Sequence, residues 1–184
     1  PDDSPVIRIG SGNGNITPSE DLQNQFLEQL EESEGEGLHG VLTFTRTPFA
    51  SELQQLEDAG IIRKSILNDD NVYGFVRKGV DLSDPFLDGL IEFVTPLGAG
   101  DKIASGISDG NYDEYFIEEI NDNYVLNDDG SLNLSVTFAE DTPLEEINSI
   151  LEQEAISFSP LSDTIWEVNT QEENIRNLAE EDEV

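Results

Sequence analysis

From Leu38 onward the chain switches between two hydrophobic rhythms. Val41, Thr43 and Thr45 alternate with Leu42 and Phe44, the period of a half-buried strand. Thr47-Pro48 then opens a helix on which Phe49, Leu53 and Leu56 share one face, and Gly60 supplies a left-handed stop. Ile61 to Leu67 read as a second strand, Asn68-Asp69-Asp70-Asn71 as a turn, and Val72 to Val76 as a third strand. Asp84-Pro85 starts a short helix carrying Phe86, Leu87 and Leu90, and Ile91 to Thr95 close the set as a strand.

The same order recurs. Thr43-Phe44-Thr45-Arg46-Thr47-Pro48-Phe49 returns, with one residue inserted, as Thr137-Phe138-Ala139-Glu140-Asp141-Thr142-Pro143-Leu144. Thr142-Pro143-Leu144-Glu145 is a capping box ahead of Ile147, Ile150 and Leu151. Ala155 to Phe158 form a strand, Pro160 to Asp163 a turn, and Thr164 to Val168 a strand containing Trp166. Thr170-Gln171-Glu172-Glu173 caps a last helix with Ile175 and Leu178, which places Glu183-Val184 opposite Phe93-Val94, in the closing strand. This pattern predicts an α+β chain of two tandem ferredoxin-like β-α-β-β-α-β modules. Each has an antiparallel sheet with helices on one face and the other face open to a partner. The modules span residues 38–108 and 109–184, after an N-terminal leader, 1–37, with one helix.

In that leader, residues 1–16 are rich in Pro, Gly, Ser and Asn around Val6-Ile7-Arg8-Ile9. Thr17-Pro18-Ser19-Glu20 reads as a capping box for a helix with Leu22, Phe26, Leu27 and Leu30 at helical spacing, and Glu34 to Gly37 as a linker. Pro96 to Asn111 looks like loop, and Tyr112, Tyr115, Phe116 and Ile120 suit a short amphipathic turn. Tyr124 to Leu126 and Leu132 to Phe138 flank Asn127-Asp128-Asp129-Gly130 as a hairpin.

Charge narrows the partners. The formal net charge is -33, with 41 acids against 8 Lys and Arg. Nucleic acid is excluded because phosphate binding needs clustered cations, and an anionic membrane for the same reason. A basic protein surface, bound cations or a salty medium fits. Scarce Lys beside abundant acids, and a start at Pro1 with no Met, suit a processed, exported chain that is secreted, cell-surface or periplasmic. The absence of Cys rules out disulfides and thiolate metal sites. No apolar stretch approaches a membrane span.

Candidate chemistry is sparse. Gly10-Ser11-Gly12-Asn13-Gly14 has Asn15 where a dinucleotide loop needs its third glycine, so it reads as a flexible leader. Asp128-Asp129-Gly130 lacks the acid spacing of a calcium loop and reads as a turn, while clustered acids such as Asp69 and Asp70 admit weak calcium binding without a dedicated site. His39, the single histidine, has no Gly-x-Ser-x-Gly nucleophile to serve and reads as exposed at a strand start. Among so many acids no carboxylate pair stands out, so neither catalytic nor metal nor cofactor residues are assigned. Trp166 alternates with Ile165, and the reading favours Trp166 towards the core, with an outward interface anchor as the alternative.

The plan of elements, the Thr-Pro-initiated helix and the ending Asn177-Leu178-Ala179-Glu180-Glu181-Asp182-Glu183-Val184 resemble the propeptides of subtilisin-like serine proteases. Asn71-Val72-Tyr73-Gly74-Phe75-Val76 and Asp101-Lys102-Ile103 are similar to a module that precedes the propeptide in bacterial members. The resemblance spans residues 38–184. It implies a non-catalytic helper that lays its open sheet on two helices of the subtilisin-like catalytic domain, templates folding and inhibits until degraded. By position it implies contact through Asp163 on the turn between the middle strands, where an acid meets the N-termini of partner helices. Asn68, Asp69 and Asp70 hold the matching turn of the first copy. Glu180, Asp182, Glu183 and Val184 would lie towards the protease cleft. The rival expectations are a ligand-binding regulatory pair and a surface interaction module stabilised by calcium or salt.

Overall fold

The computed structural model describes residues 7–8, 15–67, 70–103 and 127–184. The chain is α+β, with one four-stranded and one three-stranded antiparallel sheet in separate compact units that divide between Leu97 and Gly98.

The first unit holds β1 (Ile7–Arg8), β2 (Asn15–Ile16), α1 (Glu20–Glu32), β3 (Gly37–Phe44), α2 (Ala50–Asp58), β4 (Ile61–Ile66), β5 (Asn71–Arg77), α3 (Pro85–Asp88) and β6 (Ile91–Thr95). Its sheet runs β4-β5-β3-β6, antiparallel throughout. The glycine-rich start is not featureless, because Ile7 pairs with Ile16 and Arg8 with Asn15; Gly10 to Gly14 lie outside the described residues. Gly60, with φ 95°, turns α2 into β4 as expected.

Leu42 lies opposite Val72 and Val94, and Leu38 opposite Val76. These side chains form one core with Phe26 and Leu30 of α1, Leu56 of α2 and Leu87 of α3. The leader helix is therefore part of the helix layer. It occupies ground that α3, four residues long, is too short to cover. The approach is close: a Cβ on Gly40 would stand 2.7 Å from the Phe26 ring and 2.9 Å from the Thr95 carbonyl. α2 buries only Leu56, leaving Phe49 and Leu53 exposed at 63% and 40%, so the expected three-residue face is narrower than its spacing suggested.

The second unit holds α4 (Ala99–Lys102), β7 (Leu132–Thr137), α5 (Leu144–Glu154), β8 (Ser157–Pro160), β9 (Ile165–Thr170) and α6 (Glu172–Glu180), with sheet order β7-β9-β8. Val136, Phe138, Trp166 and Val168 pack against Ile147, Ile150 and Leu151 of α5 and Leu178 of α6. The helical turn of α4 falls where the pattern indicated loop. The Asn127–Gly130 turn is present, closed by Gly130 N–H on the Asn127 carbonyl, with φ 83° at Gly130. Tyr112 to Ile120 and Tyr124 to Leu126, the expected other arm of that hairpin, lie outside the described residues.

Two hydrogen bonds recur at corresponding positions in the two units. Phe44 N–H donates to the Asp70 carbonyl and Thr45 N–H to that of Leu90; Phe138 N–H donates to Thr164 and Ala139 N–H to Glu183. Glu183-Val184 therefore matches Leu90-Ile91, not Phe93-Val94. The expected alignment is three residues off, since Phe44 to Leu90 and Phe138 to Glu183 span nearly the same length of chain.

Candidate partner-binding face

Each sheet has a second face, set by the alternation of side chains along its strands. In the first unit this face carries His39, Val41, Thr43, Ile62, Asn71, Tyr73, Phe75, Phe93 and Thr95. It is not bare. Val41 and Thr95 are fully buried, and Thr43 and Asn71 nearly so. Thr43 Oγ1 donates to Asn71 Oδ1 at 2.7 Å. His39 is part-buried rather than exposed, stacked 5.4 Å from Tyr73 at 8° and tilted on Phe75.

The second unit presents a different surface. Val41, Ile62, Tyr73 and Phe75 are matched by Ser135, Ser157, Glu167 and Asn169. Ser135, Thr137, Ser157 and Ser159 are exposed. At one end Asn169 Nδ2 donates to Asn133 Oδ1 at 2.8 Å and to Ser131 Oγ at 3.1 Å, and Ser131 Oγ donates to Asp129 Oδ1 at 2.7 Å. The Ser131 hydroxyl, and after it the Ser131 N–H, hold Asp129 below its usual carboxylate range.

The opposite end is apolar around an acid. Leu161 N–H donates to the Ile165 carbonyl at 2.8 Å across the mouth of the β8–β9 hairpin. Both side chains lie on the open face, since Pro160 and Trp166 beside them point to the helices. Leu161 is 59% and Ile165 37% exposed, and Asp163 is exposed between them. Ser162 Oγ accepts from Ile165 N–H at 3.0 Å and from Thr164 N–H at 3.3 Å, which fixes the turn and leaves the Asp163 carboxylate outward.

Asp163 and the acidic ending meet at one end of the sheet. Thr164 accepts from Phe138 N–H, and Glu183 accepts from Ala139 N–H at 2.6 Å on the other side of the same strand end. Val184 is part-buried against the second core, so its side chain is used within the fold. Glu180 pairs with Arg176 on the exposed side of α6, at 3.2 Å. Lys102 Nζ donates to the Glu181 carbonyl at 2.7 Å, and burial lowers its pKa against the pull of Asp182, Glu183, Glu181 and Asp101. Glu181 is raised, first by burial and then by Glu183, Glu154 and Glu180, with Lys102 opposing. Glu146 on α5 is raised by burial, then by the charge of Glu183 and a hydrogen bond to it.

Of the expected contact residues, Asp163 and Glu180 present their side chains to solvent, while Asp182, Glu183 and Val184 form a half-buried turn. Asp70 closes the matching turn of the first unit through its carbonyl; Asn68 and Asp69 lie outside the described residues. The pattern missed Leu161 and Ile165, although two large apolar residues bracketing a Ser-Asp turn were the available signal. Trp166 points to the helices, 5.9 Å from Phe158, and its Nε1–H meets no acceptor among the described residues. Among the described residues no cluster of His, Asp or Glu has metal-binding geometry, and no helix is long and apolar enough to cross a membrane. No protein-family model, curated protein or solved structure matches this chain.

Proposed function

We propose that this chain is the non-catalytic pro-region of an exported subtilisin-like serine protease, built of two ferredoxin-like modules in tandem. The second module docks on the protease, assists its folding and inhibits it until removed. One observation carries the reading: the open face of the second sheet ends in exposed Leu161 and Ile165 around an outward Asp163. A pair of partner helices fits that combination. Their first-turn apolar side chains cover Leu161 and Ile165, and their free N–H groups take the carboxylate. The strand order β4-β5-β3-β6 supports the module assignment for the first unit. The order β7-β9-β8 and the shared hydrogen bonds support it for three strands of the second.

The test is refolding of a denatured subtilisin-like catalytic domain with and without this chain. The expected result is faster recovery of activity and slower peptide hydrolysis by the folded enzyme. Leu161→Ser with Ile165→Ser removes both effects by about tenfold or more without unfolding the chain, since neither side chain belongs to the second core. Unchanged rates with the unmodified chain overturn the reading.

A further inference from the structure

β9 is the central strand of the second sheet, and its open side carries Ile165, Glu167 and Asn169 in line. Their situations differ. Ile165 joins Leu161 in the exposed apolar end, and Asn169 uses its amide on Asn133 and Ser131. Glu167 lies between them, half-buried, and its carboxylate has no hydrogen bond or ion pair among the described residues. Directly across the ladders stand Ser135 of β7 and Ser159 of β8, both exposed, with hydroxyls equally unengaged among the described residues. Glu is a poor strand residue, and a carboxylate partly withdrawn from water with no donor to accept from opposes folding.

The unit has no cation left to give it. Residues 98–184 hold two bases, Lys102 and Arg176. Lys102 Nζ donates to the Glu181 carbonyl, and Arg176 pairs with Glu180 on α6, which packs on the other face of the sheet. Opposite charges directly across a ladder stabilise a sheet, but here both neighbours are serines, which leaves the carboxylate open to a group approaching from above. The corresponding position of the first sheet holds Tyr73.

We propose that Glu167, framed by Ser135 and Ser159, receives one arginine side chain of the protein that docks on this face. The proposal rests on the reading of the second module as a docking module, and it names what the partner presents. Arginine suits the site better than lysine. Its planar fork places two N–H groups on the carboxylate and leaves others for the serine hydroxyls on either side, and its weaker hydration fits a half-buried position. The strand also sets a spacing. Ile165 and Glu167 are two residues apart on one face of β9, about 7 Å. A partner helix that starts at Asp163, covers Leu161 and Ile165 and runs along β9 spans that distance in about four to five residues. Its arginine therefore stands one turn beyond its apolar anchor.

The probe is a capped, alanine-based helical peptide with Leu in its first turn and Arg about four residues later, titrated into the intact chain. Binding is followed by the amide shifts of Ser135, Ser159 and Glu167. The expected result is saturable binding that weakens about tenfold or more when citrulline, of the same shape without the charge, replaces the arginine, and as much with Glu167→Gln. The two changes together weaken it no further than either alone. Glu152→Gln, at an exposed acid of α5, removes the same net charge and leaves binding within about twofold. Glu167→Gln also melts no lower than the unmodified chain, because the carboxylate has no partner to lose. Four results overturn the proposal: no saturable binding, citrulline bound as well as arginine, Glu152→Gln as damaging as Glu167→Gln, or a lower melt that reveals an internal partner. The docking reading fails separately. A protease catalytic domain indifferent to the chain, with peptide binding intact, removes the protease as partner and keeps the arginine site.

Discussion

Ser19, not Thr17, caps α1: its hydroxyl accepts from Leu22 N–H at 3.2 Å. Ser19→Ala is expected to cost the first unit about 1 kcal/mol in denaturant unfolding. The capping-box spacing pointed to Thr17, three residues ahead of Glu20; Ser19 has Leu22 at that spacing, so the pattern did not single it out. Thr142 and Thr170 were misread in the same way. α5 and α6 start from Pro143 and Gln171 without side-chain caps, and Thr170 Oγ1 instead donates to the Glu154 carbonyl. Asp84 does cap α3 as its sequence indicated, accepting from Phe86 N–H. Gly40→Ala is a harsher change, because the added methyl meets Phe26 and backbone together; about 1–3 kcal/mol of destabilisation is expected. Trp166 separates packing from polarity. Trp166→Phe removes the unpartnered indole N–H along with some contact area and should cost less than about 1.5 kcal/mol, against about 3–5 for Trp166→Ala.

Strands were far more legible than helix ends. Ile91 to Thr95 stands as read, and β3, β5 and β9 differ from their expected spans by one or two residues, because period-two alternation marks each residue's face directly. The membership of α1 in the first core was not legible. Its apolar stripe of Phe26 and Leu30 declares a buried face without naming the surface it meets. At the opposite end of the chain, the 181–184 turn gathers carboxylates, and its pH response has a definite sign. Glu146 and Glu181 are raised from 4.5, so the folded state keeps their protons longer than the unfolded chain does. Their contribution is fully present below 4.5 and is lost as pH rises through the raised values. The Ala139 amide, which donates to Glu183, should therefore exchange more slowly at pH 4 than at pH 7 after correction for intrinsic rates, and Glu146→Gln with Glu181→Gln should flatten the difference. Glu52 behaves oppositely. Arg46 and then the Phe49 N–H lower it to about 2, so what it contributes is present above 4.5 and lost only as pH falls towards about 2.

At the scale of the molecule, the two units carry different sheet surfaces. The mixed α+β character was readable from the switch between strand and helix periods; the contrast of Tyr73 and Phe75 with Glu167 and Asn169 emerged only from the strand register. Which face is covered was not readable, since alternation gives a side and not a neighbour. A net charge of -33 adds repulsion spread over the fold. Its stability should rise with ionic strength, most steeply below about 0.1 M where the screening length exceeds about 10 Å. Thermal melts in sodium chloride and in calcium chloride at matched ionic strength distinguish screening, which predicts equal shifts, from a dedicated ion site. The most direct measurement is calorimetric titration of this chain into a subtilisin-like protease inactivated at its nucleophile. Saturable one-to-one binding, weakened about tenfold or more by Leu161→Ser with Ile165→Ser and also by Asp163→Ala, is the predicted result. No binding, or binding indifferent to all three positions, contradicts it.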